Sequence, residues 1–404
     1  KTILNKLSYN AGYQIVFAHF INAYICSHRF QKYTFMSLLP QTNRIKVCLV
    51  AISLGKGGAD RSCALLSRML YDHGFDVHIA LLNDQIAYPY SGKLLNLGKL
   101  KSASDSLLKR FLRLRKLKQY LKKEGITHVI DHRAKNNYKR EVFYKNYVYK
   151  GIKTIYVVHS FKLETYFGND PMEFKELYAD NFKNVAVSDG IKTRLQNELG
   201  LSNLVRIYNP IDSEWVERAK EKVALPFKKY ILSYGRIDDD VKDLSFLIQS
   251  YHESQLWKQQ IQLVIMGEGK DEQKLKDLTG ELSLSGQVEF LPFTSNPFPF
   301  IANAHVVALT SNWEGFPMAL VESLSLGIPV VSLDIDSGPS EIIIHKKNGL
   351  LISEREPTVF ASALREICND EILYAECKAN AASSVSKFSK EIITEAWTKL
   401  LTNE

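Results

Sequence analysis

Two acids eight positions apart, Glu314 and Glu322, carry the most legible chemistry in this chain. Glu314 opens the run Glu314-Gly315-Phe316-Pro317-Met318, and Glu322 lies in the apolar stretch that leads to Gly327-Ile328-Pro329-Val330-Val331. Eight residues of α-helix carry a side chain about 80° around the axis, so both carboxylates can approach one crevice. A carboxylate is a pure acceptor that can grip paired sugar hydroxyls. Proline is tolerated in a first helical turn, so Pro317 marks a helix start, and Gly327 marks its end. Free backbone amides at such a start attract phosphate oxygens. The residue types suit a ligand carrying both hydroxyls and phosphate. A plain helix, with Glu314 as its cap and Glu322 on an exposed face, is the competing reading, since carboxylates in first turns are common.

The surrounding text supplies elements that would position such a site. Ile45 to Ala51 reads as a buried strand, the glycine run Gly55-Lys56-Gly57-Gly58 as a turn, Asp60 to His73 as a helix and Phe75 to Leu82 as a second strand. That order opens a doubly wound parallel sheet. Further short apolar runs stand at 127–130, 154–158 and 184–187, and the second half restarts with runs at 230–234, 262–266, 288–291, 305–309 and 329–333. Two α/β domains in tandem are implied. Asn209-Pro210-Ile211-Asp212 suits a boundary, because a proline-bearing turn there is followed by a charged segment and Pro226. We expect a first domain over 44–212, a second over 213–387, and a final helix within 388–404 that crosses back to complete the first. Residues 1–43 form an aromatic arm of uncertain role, with packing on the first domain, a membrane surface and dimerisation as its readings.

Composition bounds the function. A chain of 404 residues is long enough for two domains, and 45% apolar with 24% charged residues is globular. The five cysteines are scattered without the paired spacings of metal or redox sites, which points to a reducing compartment. No window supplies the ~20 uninterrupted apolar residues of a membrane span, and the start lacks a secretory pattern, so a cytoplasmic location is expected. Part of the formal charge of +8 is concentrated between Lys99 and Lys123, where Leu107, Leu108, Phe111, Leu112, Leu114, Leu117 and Leu121 recur near helical spacing. This basic amphipathic helix either packs on a sheet with its cations in solvent or meets an anionic membrane surface. It lacks the motifs and aromatic stacking pattern of nucleic-acid binders, and nucleic acid is not expected as a partner.

Glu314 and Glu322 with seven residues between them, Gly315-Phe316-Pro317 after the first acid and Gly327-Ile328-Pro329-Val330-Val331 after the second resemble the signature of retaining glycosyltransferases of family 4. The resemblance implies a GT-B fold, two Rossmann-like domains facing a cleft, with no bound metal or other cofactor. It implies that Glu314 contacts the donor sugar and that Glu322 holds the nucleotide ribose. Gly235-Arg236 and the downstream Lys242 are similar to the family's diphosphate-binding pair. A leaving nucleoside diphosphate gains negative charge, and without a metal two fixed cations must stabilise it.

The same resemblance places Gly315, Phe316, Pro317, Met318, Gly267 and Phe293 around the donor, Gly58 near phosphate and acceptor, and His159 beside the transferred sugar. Ser188 and Asn209 are further cleft candidates, and Ser337 to Ile342 is a family-like turn. By the resemblance, a nucleotide-sugar, UDP-linked by family frequency, would give its sugar with retention to a hydroxyl of a glycan or lipid-linked acceptor. Polysaccharide or lipopolysaccharide biosynthesis at the inner face of the plasma membrane is the implied setting. The alternatives on the same fold are a nucleotide-sugar epimerase and a non-catalytic nucleotide-sugar-binding protein.

Overall fold

The computed structural model describes residues 45–402, apart from 56, 103, 169, 213 and 224–227. The aromatic arm over 1–43, Lys56 of the glycine run and Pro226 lie outside the described residues.

Among the described residues thirteen strands form two sheets. The first contains β1 (Lys46–Ala51), β2 (Asp76–Leu81), β3 (Lys93–Asn96), β4 (His128–Asp131), β5 (Lys153–Val158), β6 (Lys183–Ala186) and β7 (Leu204–Arg206), in the order β3-β2-β1-β4-β5-β6-β7. The second contains β8 (Lys229–Tyr234), β9 (Ile261–Met266), β10 (Val288–Leu291), β11 (Val306–Leu309), β12 (Val330–Leu333) and β13 (Gly349–Ile352), in the order β10-β9-β8-β11-β12-β13. Every paired register between these strands is parallel. This is the two-domain Rossmann-like architecture that the strand text and the resemblance imply. Strand order reverses between β1 and β4 and again between β8 and β11, and open α/β sheets bind ligands at such switch points, beyond the carboxyl ends of the strands.

Parallel strands are buried on both faces, which is why β1 reads as an unbroken apolar run. In β8 and β9, side-chain alternation sorts residues into two cores. Tyr230, Leu232, Val264 and Met266 join a cluster that continues through the first lobe, whereas Ile231, Leu263 and Ile265 belong to a second cluster on the far face. The lobes therefore share one continuous apolar core.

Local signals set the helix limits. Ser188 caps the helix Asp189–Leu199 through the Ile191 amide, and left-handed Gly200 ends it. Ser106 and Gly125 do the same for the helix Leu107–Glu124. The helix Lys390–Thr402 buries Ile393, Trp397 and Leu401 in the shared core and contacts the helix Gly58–Asp72 of the first lobe, with Lys390 Nζ 3.2 Å from Asp72. Within the described residues the chain thus passes between lobes twice. The crossings meet where Ile211 N donates to Phe388 O at 2.8 Å, and where Tyr208, Phe316 and Phe388 pack ring against ring with centroids 4.8–5.1 Å apart.

Candidate active site

The carboxyl ends of the two sheets enclose one cleft of about 820 Å³. Glu314, Glu322, Arg236, Lys242, His159, Gly315, Phe316, Pro317, Met318, Gly267, Gly58 and Phe293 all line it, as does Asn209. Ser188 does not belong to that lining. It is fully buried, its hydroxyl bonds Ser337 Oγ at 2.7 Å across the lobes, and its role is to cap a helix.

The second lobe builds its wall from three strand ends. Tyr234 closes β8, and Gly235 and Arg236 follow it into the cleft. The turn after β9 nests against them so closely that a Cβ on Gly267 would stand 1.8 Å from the Gly235 carbonyl oxygen, and its φ of +153° also favours glycine. After β11, the Thr310 hydroxyl donates to the carbonyls of Lys242 and Asp243 at 3.0 Å each, tying the lysine segment to this strand end. Arg355 braces the same corner from behind, bonding Thr310 O at 3.1 Å, Ser311 O at 2.8 Å and Asp243 at 2.6 Å.

Lys242 Nζ and Ser311 Oγ both donate to Glu314 Oε1 at 2.6 Å, so cation and acid form one unit at the cleft surface. The Arg236 side chain is 70% exposed, with Asp238 4.0 Å away as a loose neighbour. It is free to meet an anion. Next to them the helix Met318–Ser325 begins, and Gly315, Phe316, Pro317, Met318 and Ala319 present its first turn to the cavity.

Glu322 is held differently. Its side chain is only 2% exposed, Tyr234 Oη donates to Oε2 at 2.9 Å, and the Arg61 guanidinium of the first lobe binds Oε1. Burial opposes the Arg61 charge most strongly, but Glu322, Tyr88 and Tyr234 together outweigh it and keep that guanidinium above its ordinary range.

The first lobe contributes the turn after β1, with Gly57, Gly58 and Arg61, and the segment after β5, with His159, Ser160 and Lys162. A Cβ on Gly315 would lie 1.9 Å from the His159 carbonyl oxygen, so the glycine after the first acid is what lets the lobes touch. Lys162 stands over the Trp313 ring at 4.4 Å, a second bridge across the cleft. On the far side the Glu341 carboxylate accepts from the backbone amides of Asp189 and Gly190 at 2.8 and 3.3 Å.

His159 Nε2 bonds His132 Nδ1 at 2.9 Å, and the rings lie near parallel. Burial, then His132 and Lys135, push the His159 imidazole well below its ordinary pKa, and burial holds His132 down at about 3. The pair is neutral at physiological pH. Such an imidazole offers hydrogen bonds rather than charge.

Behind it lies a fully buried ionic network. Arg133 Nη2 binds Asp131 at 2.7 Å and Glu141 at 2.9 Å, and Lys135 Nζ donates to Arg133 O at 2.7 Å. Burial would raise the Asp131 carboxyl, but Arg133 and Lys135 bring it down to about 2; burial lowers Lys135 to about 8. Among the described residues no group of three or more His, Cys, Asp or Glu is arranged to hold a metal ion.

Sequence reasoning assigned no role to Arg61, His132, Lys162, Trp313 or Arg355. The first turn of a helix after a glycine loop is a detectable place for a ligand-facing residue, which is a signal for Arg61. Nothing in the spacing points to its partner 261 positions away.

Residues 56–215 match the family model described as Glycosyltransferase Family 4, and residues 216–384 match that described as Glycosyl transferases group 1. A Campylobacter jejuni protein, N-acetylgalactosamine-N,N'-diacetylbacillosaminyl-diphospho-undecaprenol 4-alpha-N-acetylgalactosaminyltransferase, is 29% identical over 373 residues, covering 85% of this chain and 96% of its own. The lipopolysaccharide 1,6-galactosyltransferase of Salmonella typhimurium is 32% identical over 212 residues, 49% of this chain and 55% of that protein. Among solved structures, Staphylococcus aureus TarM superposes with a TM-score of 0.71 at 15% identity, over 90% of this chain and all of that one. Anabaena HepE in complex with UDP-glucose gives 0.71 at 17%, over 89% and 100%. At such identities the likeness to these structures speaks for the fold.

Proposed function

We infer that this chain, a nucleotide-sugar-using glycosyltransferase of the GT-B fold that acts in polysaccharide or lipopolysaccharide biosynthesis, transfers a hexosyl unit with retention of anomeric configuration. A UDP-sugar is its donor and a hydroxyl of a glycan or lipid-linked acceptor receives the sugar. The observation that carries this reading is the shared cleft wall: Arg236, Lys242 and a helix start lie beside Glu314, and Glu322 is a few residues along the same helix. Cations and amides suit a diphosphate, and the acids suit hydroxyls of sugar and ribose.

In this reading the bond between the sugar's anomeric carbon and the donor phosphate oxygen breaks, and Arg236, Lys242 and the helix amides stabilise the departing charge. The acceptor oxygen bonds to that carbon from the same face, and its proton passes to the phosphate oxygen. No side-chain base is needed. Neutral His159 holds a sugar hydroxyl without adding charge, and the two lobes exclude water that would otherwise hydrolyse the donor. Support for UDP and a lipid-linked acceptor comes from relatives: HepE is described with UDP-glucose, and the C. jejuni enzyme's name specifies a diphospho-undecaprenol substrate.

The helix Leu107–Glu124 supports docking on the cytoplasmic leaflet. Leu107 and Leu108 are 81% and 67% exposed, Phe111 and Leu112 continue the same ridge, and Lys109 and Arg110 flank it in solvent. No helix among the described residues is long and apolar enough to cross a membrane. Binding to anionic vesicles should be salt-sensitive, and indifference to both lipid charge and salt would argue against this surface.

The central test is transfer from radiolabelled UDP-sugars by Glu314→Ala and Arg236→Ala, with folding followed by circular dichroism. Both variants should fold and lose transfer. Full turnover by both would remove the site.

A further inference from the structure

The ion pair between the lobes is not used by the mechanism above. Glu322 is almost entirely buried, and within its own lobe the Tyr234 hydroxyl is its hydrogen-bond partner. A neutral phenol does not compensate a buried carboxylate, which needs an opposite charge to stay ionised at modest cost. That charge arrives from the other lobe. Arg61 sits one turn into the helix that follows the glycine loop, its amide bonding Gly57 O at 3.1 Å, and its guanidinium lies between the rings of Tyr88 at 5.4 Å and Phe298 at 5.9 Å. Its tip reaches Glu322 Oε1, and both side chains line the cleft.

We propose that Arg61 is a positioning residue for the nucleotide, orienting the Glu322 carboxylate from the opposite lobe so that the ribose is gripped by a site the two lobes complete together. An ionised carboxylate accepts at about four lone-pair positions. Arg61 and Tyr234 take one on each oxygen and fix the plane of the group, which leaves one on each oxygen for the two hydroxyls of a vicinal diol. The contact differs from a surface clamp: removing Arg61 changes recognition of the diol and leaves the diphosphate contacts of Arg236 and Lys242 in place. The inference rests on Glu322 as the ribose ligand.

The test is calorimetric titration of the full chain with UDP against 2'-deoxy-UDP, with GDP and its 2'-deoxy form as a second pair. The tighter-binding pair is carried through Arg61→Met, Arg61→Gln, Arg61→Lys and Glu322→Gln, with thermal melts confirming folding. The native chain should prefer the ribonucleotide. Arg61→Met and Arg61→Gln should reduce that preference by about tenfold, the scale of one charge-assisted hydrogen bond, with the deoxynucleotide affinity little changed. Arg61→Lys should restore part of it.

Equal weakening of both nucleotides would show that Arg61 only staples the lobes, and an unchanged preference would show that it does not act on the ribose; either result overturns the proposal. If Glu322→Gln keeps the preference, the assignment of Glu322 to ribose fails instead. If Glu322→Gln loses it and the Arg61 variants keep it, that assignment stands and the role of Arg61 falls.

Discussion

The two walls of the cleft use charge in opposite ways. On the second lobe Arg236 is mostly in solvent and Lys242 pairs with Glu314 at the cavity surface, so both cations can exchange a protein or water partner for a ligand. Behind the wall of the first lobe, Asp131, Arg133, Lys135 and Glu141 are completely buried and bonded to one another. They have no capacity left for a ligand. The second lobe is built to bind an anion, and the first to hold the His132–His159 pair and its backbone in one place.

Replacing Arg133 with Met should break this contrast most severely. It leaves Asp131 buried without its guanidinium and Glu141 with Arg140 alone, and chemical denaturation should register a loss of about 3–5 kcal/mol. Lys242→Ala on the other wall should cost roughly 10²–10³-fold in kcat, the scale of one removed electrostatic donor, in steady-state transfer assays. Its stability should fall by less than that of the Arg133 variant, since Lys242 and Glu314 are only partly buried at the cavity surface and water can reach the carboxylate left behind. If the two substitutions exchanged effects, the division of labour would be wrong.

Acid should separate the lobes as well. Burial holds His128 at about 4 and His132 at about 3, and His159 lower than ordinary, against ~6.5 in an unfolded chain. The unfolded chain therefore binds protons that the folded one refuses. Stability is complete above pH ~6.5 and falls toward pH 4, by up to about 1.4 kcal/mol per pH unit for each histidine. His305 adds the same sign in the second lobe, where burial holds it at about 4. Hydrogen exchange should show the ends of β4 and β5 opening before the second sheet, and His132→Gln should flatten the slope. The smallest effect belongs to pairs such as Lys220 with Glu217, both largely in solvent, where Lys220→Ala should change stability by about 0.5 kcal/mol or less.

The same division explains what could be read in the sequence. The strand text for β1, β2, β4, β5 and β6, and for β8, β9, β11 and β12, is apolar because those strands are covered on both faces; the half-exposed edge strand β10 was legible from Val288, Phe290 and Leu291. The edge strands β3, β7 and β13 escape that reading: β3 is the half-exposed Lys93-Leu94-Leu95-Asn96, β7 has three residues, and β13 begins on a glycine. The donor wall was legible because one helix and the turn before it hold both acids in contiguous text, and Arg236 and Lys242 follow a single strand. The first-lobe network was not, since Asp131-His132-Arg133-Ala134-Lys135 has the polar, charged text of a solvent-facing segment although its four polar side chains are buried. Arg61 escaped because its partner is in the other lobe.

The paired crossings of the chain carry a mechanical consequence. Two covalent links side by side, at Ile211 and Phe388, act like the knuckles of a door: swinging about the line between them stretches neither, while sliding or twisting strains both. Phe316, in the loop between the two acids, rests against the pin of that door through Tyr208 and Phe388. A swing of one lobe about that line would load Phe316 directly, which couples access to the cleft with the shape of the loop that carries Glu314.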